Sequence, residues 1–199
     1  MAVVRAWALA ALVVAIWVLC WWTAEPHVRI LPAKEDPALF SAERAEGYLA
    51  RVLGPERPHP VGSAEDEAVR ERILKELGAL HVPAQTYTAF TCYSGRGFRY
   101  VACATVTDIV AVVAPGAGKA IVMLAHMDSV PAGPGASDDE SGVATILETI
   151  RALKSAPAKS LHPIIAVLTD GEEAGLLGAN AFLENPRLKA RVGAVVNVE

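Results

Sequence analysis

The sequence predicts an α/β protein: a mixed, mostly parallel sheet with helices on both faces, preceded by one N-terminal transmembrane helix. Three observations carry this expectation. From Ala120 onward, short apolar runs alternate with segments of helical spacing. Those runs are apolar almost without interruption, as strands buried on both faces must be. A separate stretch from Ala6 to Trp22, AWALAALVVAIWVLCWW, holds no charge, and Val3 and Val4 extend it past Arg5.

That stretch is just long enough to span a bilayer. Trp17, Trp21 and Trp22 gather towards its end, as in an interfacial belt. A cleaved signal peptide is the rival reading, although Trp21-Trp22-Thr23-Ala24 makes a poor cleavage site. A buried helix is the third. Arg29 and Lys34 balance Arg5 and the terminal amine, so flanking charge gives no orientation. The expected organisation is an anchor over 1–22, a linker over 23–40 with Pro26, Pro32 and Pro37, and a folded domain over 41–199. With 199 residues, 53% of them hydrophobic, the chain suits one domain with a real core. A net charge of -4 gives no basic surplus, so no nucleic-acid partner is expected.

Within the domain, Ser41 to Leu53 reads as a helix with Ser41 as N-cap. Three prolines interrupt GPERPHPVGS (54–63). Ser63 then caps a second helix, with Asp66 at the capping-box position and Val69, Ile73, Leu77 and Leu80 on one apolar face. QTYTAF (85–90) and FRYVACATV (98–106) read as strands around a Ser94–Gly97 turn. DIVAVVA (108–114) and AIVMLAH (120–126) read as two more, joined by PGAGK. A phosphate-loop reading of that joint fails, because Val113 stands where the first Gly belongs and Ala120 replaces the Ser or Thr. Val143, Ile146, Leu147, Ile150 and Leu153 mark a helix. HPIIAVLTD (162–170) is a buried strand, EEAGLLGANAFL (172–183) starts another helix, and VGAVVNVE (192–199) is a last strand.

Cys20 lies in the apolar span. Cys92 and Cys103 flank the predicted turn; a disulfide and two buried thiols are both open readings. Without Cys-x-x-Cys, a cysteine zinc site is not expected.

In a parallel sheet, ligands collect beyond the carboxyl ends of the strands. His126 and Asp128 end one strand, and Asp138 and Asp139 open the helix after it. Asp170, Glu172 and Glu173 follow a second strand, and Glu199 ends a third. Taken singly, a rim histidine, glutamates at a helix start and an Asp pair in a turn all have ordinary explanations. Together they crowd carboxylates and an imidazole onto one edge, where a dication would relieve the repulsion. A His with carboxylates suits zinc, and a carboxylate bridging two ions makes a two-metal site.

HMDS, PGASDDESG, TDGEEAGLLGA and NVE, in this order from roughly Ile109 to Glu199, closely resemble the co-catalytic two-zinc aminopeptidases of peptidase clan MH. RPHPVGS and the N-terminal apolar stretch resemble the membrane-anchored branch that includes the endoplasmic-reticulum metallopeptidase. The resemblance implies a zinc-aminopeptidase-like fold and two zinc ions. It implies peptide or protein N-termini as substrates, and a catalytic domain outside the cytoplasm. By the same resemblance His126, Asp138, Glu173 and Glu199 are metal ligands, with Asp138 bridging. Asp128 orients His126, and Glu172 is the general base. Ser137 stands where many relatives have another Asp. The family's downstream histidine for the second zinc has no counterpart here. His27, His59, His81 and His162 match no ligand position. The expectation is therefore a C-terminally truncated piece of a longer enzyme, itself inactive. The rival functions are a glutaminyl-cyclase-like acyltransferase, which needs one zinc, and a catalytically dead receptor-like or interaction domain.

Overall fold

The computed structural model describes residues 2–24, 30–94, 101–156 and 160–199. The predicted turn over 95–97 and the start of the predicted strand at Phe98 lie outside the described residues, as does the linker from Glu25 to Arg29.

Two units are distinct, Met1–Ile30 and Leu31–Glu199. The first contains helix α1, Ala2–Ala24. Its Trp7–Ala24 window has a mean hydropathy of 2.0, so the helix is long and apolar enough to cross a membrane. A signal sequence near the N-terminus passes the same test. Trp17 and Trp21 stack, with ring centroids 5.9 Å apart.

The second unit is built on a five-stranded mixed sheet of order β1-β2-β4-β3-β5. The strands are β1 (Ala84–Tyr93), β2 (Ala102–Ala114), β3 (Ala120–His126), β4 (Ile164–Thr169) and β5 (Val192–Asn197). Pairing is parallel for β3 with β4 and with β5, and antiparallel for β1 with β2 and β2 with β4. The helices are α2 (Ala42–Leu53), α3 (Ala64–Ala79), α4 (Glu140–Ser155), α5 (Leu177–Glu184) and α6 (Pro186–Lys189).

Strand alternation divides the core. Met123 and Ala125 of β3, with Ala166 and Leu168 of β4, pack towards Val52, Ile73, Ile146, Leu147 and Ile150 on α2, α3 and α4. Ala120, Val122, Ile165 and Val167 pack on the other face with Phe182 of α5. Double coverage explains why β3 and β4 lack polar alternation. The helix starts follow the caps. Ser41 accepts the Arg44 N–H, Ser63 that of Asp66, and Asp139 that of Gly142. Asp66 does not close a capping box: its Oδ2 accepts from Gly62 N at 3.1 Å and from Arg70 Nη2 at 2.7 Å.

Two boundaries differ from the sequence reading. The segments expected as separate strands over 98–106 and 108–114 are joined in one strand, β2. Thr107 and Asp108 interrupt the apolar run, but each is held in place by a residue from another segment. Arg70 Nε donates to Thr107 O at 3.1 Å, and Asp108 Oδ1 accepts from Asp170 N at 3.0 Å. The helix expected from Glu172 starts instead at Leu177. Residues 172–176 form a turn, with Gly175 at φ 116° and Leu176 at φ 60°, both in the left-handed region.

Cys92 and Cys103 are cross-strand partners on β1 and β2 and form a disulfide with Cα atoms 4.1 Å apart.

Candidate active site

Parallel pairing aligns the carboxyl ends of β3, β4 and β5. Met127 N donates to Thr169 O, and Val198 N to Leu124 O, both at 2.9 Å. The loops leaving these three strand ends therefore begin side by side. His126 is the last residue of β3 and only 4% exposed. Its Nε2 lies 3.1 Å from Asp138 Oδ1 and 3.9 Å from Glu172 Oε2. On the other side of the ring, Nδ1 lies 3.0 Å from the main-chain oxygen of Asp128 and 3.5 Å from its Oδ1. One residue thus fixes the ring while Nε2 faces carboxylates from two other loops.

Asp128 does more than the sequence indicated. Its buried carboxylate accepts from Glu172 N at 2.8 Å and Glu173 N at 3.2 Å. The loop after β4 is held there by its backbone, which leaves both glutamate side chains free. A further link was missed altogether. Asp139 is 1% exposed, and its Oδ2 accepts from His126 N at 3.1 Å while Oδ1 accepts from Gly142 N at 3.1 Å. The adjacent acids could have signalled it: one of a DD pair at a helix start is a natural N-cap, and only the other need face outward. The peptide bond between Asp138 and Asp139 is cis. Gly142 is needed where these segments cross, because a Cβ there would run into Asp139 Oδ1 and Val198 O. At Gly178 a Cβ would run into Asp108 Oδ1 and the Asp170 backbone.

A cleft of about 160 Å³ is lined by His126, Asp139, Glu172 and Glu199, with Leu176 and Asn197 among its walls. Glu199 reaches this cleft from two residues beyond β5, its Oε2 accepting from Asn197 Nδ2 at 2.8 Å. Of the six residues expected from sequence, Asp128, Asp138 and Glu172 each lie within 4 Å of the His126 ring. Glu173 is tied in through its backbone and Glu199 lines the same cleft. Among the described residues, no three His, Cys, Asp or Glu side chains close on a single point as a formed metal cluster.

The electrostatics match the crowding of acids. Burial works against a charged His126 ring, but the hydrogen bond and charge of Asp128, then Glu172 and Asp139, outweigh it and push its pKa up to about 10. Glu172 is raised by burial first and then by Asp128, Glu173 and Glu199, against His126. Glu173 is raised by burial and by Asp138. Such a field favours a cation. The donor chemistry, one imidazole nitrogen facing carboxylate oxygens with its other nitrogen held by a carbonyl and a carboxylate, fits zinc.

Behind the site is a second group of acids. Asp170 Oδ2 accepts from Thr107 N at 2.8 Å and lies 3.6 Å from Arg70 Nη2. Burial pushes Asp108 and Asp170 up to about 7, with Asp66 and Asp128 adding to Asp170.

The fold is zinc-aminopeptidase-like. A zinc aminopeptidase from Bacillus subtilis superposes with a TM-score of 0.64 at 15% identity, over 80% of this chain and 69% of that one. Porphyromonas gingivalis glutaminyl cyclase gives a TM-score of 0.64 at 25% identity, over 79% and 58%. Residues 108–199 match peptidase family M28. Endoplasmic reticulum metallopeptidase 1 of Mus musculus is 27% identical over 175 residues, 80% of this chain and 19% of the relative. The vacuolar membrane protease of Schizosaccharomyces pombe is 35% identical over 152 residues, 71% and 18%. The chain thus spans about a fifth of these relatives' length.

Proposed function

We propose that the chain carries the chemistry of a membrane-anchored, zinc-dependent aminopeptidase. The observation that supports this best is the meeting of His126, Asp138 and Glu172 at one sheet edge, with Asp128 holding both the imidazole and the Glu172–Glu173 backbone. His126, Asp138 and Glu173 would hold one zinc ion; Asp138 and Glu199 would contribute to a second. Zinc bound there would lower the pKa of a water from 15.7 to about 7 and polarise the scissile carbonyl.

The remaining steps belong to the protein. Glu172 takes a proton from the attacking water and returns it to the leaving amine. Its raised pKa suits that exchange, and its fixed N–H keeps the carboxylate beside His126. Asp128 holds His126 Nδ1 and so directs Nε2 outward. The carboxylates at the rim attract the protonated amine of a peptide or protein N-terminus. Helix α1 and the relatives' names support membrane attachment, and the Cys92–Cys103 disulfide supports an oxidising compartment outside the cytoplasm.

The test is zinc content and hydrolysis of aminoacyl-arylamides by the purified full-length protein. Zinc-dependent release of the arylamine is expected; a protein that retains no zinc, or whose activity survives chelation, would overturn the proposal. The likeness to a glutaminyl cyclase gives one alternative an outcome of its own. Cyclisation of a Gln-initiated peptide without cleavage would select it.

A further inference from the structure

His59 belongs to none of the ligand positions, yet it is fully buried beneath the loop that carries Asp138. Its backbone is locked to the residue after Asp128. His59 N donates to Ser129 Oγ at 2.8 Å, and Ser129 N donates to His59 O at 3.2 Å. Its ring is oriented too: Nδ1 donates to Arg57 O at 2.9 Å, so Nε2 can face a carboxyl group only when the pair holds one further proton, on the ring or on Glu140. The other nitrogen, Nε2, lies 3.3 Å from Glu140 Oε1.

Glu140 is also fully buried; neither of its carboxylate oxygens, nor His59 Nε2, has a hydrogen bond of good geometry among the described residues, and the 3.3 Å contact with His59 is the one ion pair of Glu140 there. It is the first residue of α4, two along from Asp138 and directly after Asp139. Its own N–H donates to Gly135 O at 3.0 Å, closing the 135–140 loop on itself. A Cβ at Gly135 would lie 3.6 Å from His59 Cε1, so the ring also packs against that turn. A buried carboxylate is costly unless something answers it, and His59 is what answers Glu140.

We infer that His59 is a positioning residue for the Asp138 loop, acting through its contact with Glu140. This rests on the zinc reading above. The pair joins three segments: 57–60 upstream, the His126–Ser129 strand end, and the start of α4. Asp138 is the exposed tip of the third segment, with its side chain 69% exposed. Without a buried hold on Glu140, that tip is fixed against His126 by Asp138 Oδ1 at Nε2 and by Asp139 Oδ2 at the main-chain N–H. The ordinary alternative is that the two residues merely fill and stabilise the interior.

Zinc affinity, measured by competition with a chromophoric chelator, separates the two. For His59→Ala and Glu140→Gln in the full-length protein, we expect zinc to bind roughly 10–100-fold more weakly, the usual effect of losing an outer partner of a metal site. The double variant should be no weaker than the worse single one, because both changes break the same contact. His59→Gln, which can still present an N–H to Glu140, should recover most of the affinity. It also serves as the folded variant should His59→Ala fail to fold. Unchanged zinc affinity in Glu140→Gln alongside a lowered urea midpoint would overturn the inference and leave a purely structural pair. Additive losses in the double variant would overturn it as well. Wild-type protein that binds no zinc would instead defeat the functional reading beneath it.

Discussion

Asp128 accepts the backbone N–H of Glu172 at 2.8 Å, across 44 residues of sequence. The same carboxylate takes the N–H of Glu173 and lies beside His126 Nδ1. Asp128→Asn keeps one acceptor oxygen but puts an N–H₂ where the second must accept. Zinc affinity and kcat/KM should each fall roughly 10–100-fold, with Asp128→Ala worse than Asp128→Asn. Chelator competition and steady-state kinetics on both variants check this; equal wild-type values would show that the loop after β4 needs no such hold.

Glu172 and Glu173 are neighbours with different proposed duties. Glu172→Gln should abolish turnover while zinc stays bound, and Glu173→Gln should lose zinc. Metal analysis of both variants after gel filtration decides the matter, and the reverse pattern would exchange their roles.

Asp108 and Asp170 should make stability fall as pH rises. A carboxyl whose folded pKa is about 7 keeps a proton that the unfolded chain has released near pH 4. The folded state then binds more protons, and stability declines between those two values. Arg70 offsets part of this effect; Asp66 and Asp128 add to it. Asp108→Asn removes one ionisation and retains the oxygen that accepts from Asp170 N. Its urea midpoint should exceed the wild-type midpoint above pH 7, and the difference should vanish towards pH 4. A constant difference at all pH values would mean that burial has not shifted these groups.

Leu147 is fully buried between α4 and the sheet. Leu147→Ala should cost about 2–5 kcal/mol of stability, as cavities of this kind do. Urea denaturation monitored by circular dichroism would register it, with zinc stoichiometry unchanged in the folded fraction.

For membrane topology, the proposal expects the domain to be cleaved by protease added to the extracytoplasmic side of sealed vesicles. Cys92 and Cys103 should resist alkylation until reduced. Protection of the domain together with freely alkylated thiols would place it in the cytoplasm.

How much of this was legible in sequence depended on the range of the forces involved. His126, Asp138 and Glu172 could be placed at one edge because apolar runs locate strands, and parallel order locates their carboxyl ends. Ser41 and Ser63 were legible because capping is local. The fusion of the predicted strands into β2 was not, since Thr107 and Asp108 look like a break until Arg70 and Asp170 arrive from elsewhere. The late start of α5 was hidden for the same reason: Glu172 and Glu173 favour a helix start, but Asp128 captures their N–H groups first. His59 was visible within RPHPVGS, but its contact was not, because its partner Glu140 lies 81 positions along the chain.

Gly142 and Gly178 stand where the absence of a side chain is itself a structural part. Each lets one segment cross a carboxylate and a backbone group too closely for any Cβ. In evolutionary terms the two kinds of position are unequal. A proposed ligand such as Glu199 can be exchanged for Asp by one substitution with the scaffold intact. Neither glycine can be replaced unless the crossing segments move apart. A lineage abandoning the chemistry can therefore shed donors one at a time and still keep the fold, whereas a side chain at Gly142 or Gly178 marks the point at which the loop architecture itself is being rebuilt.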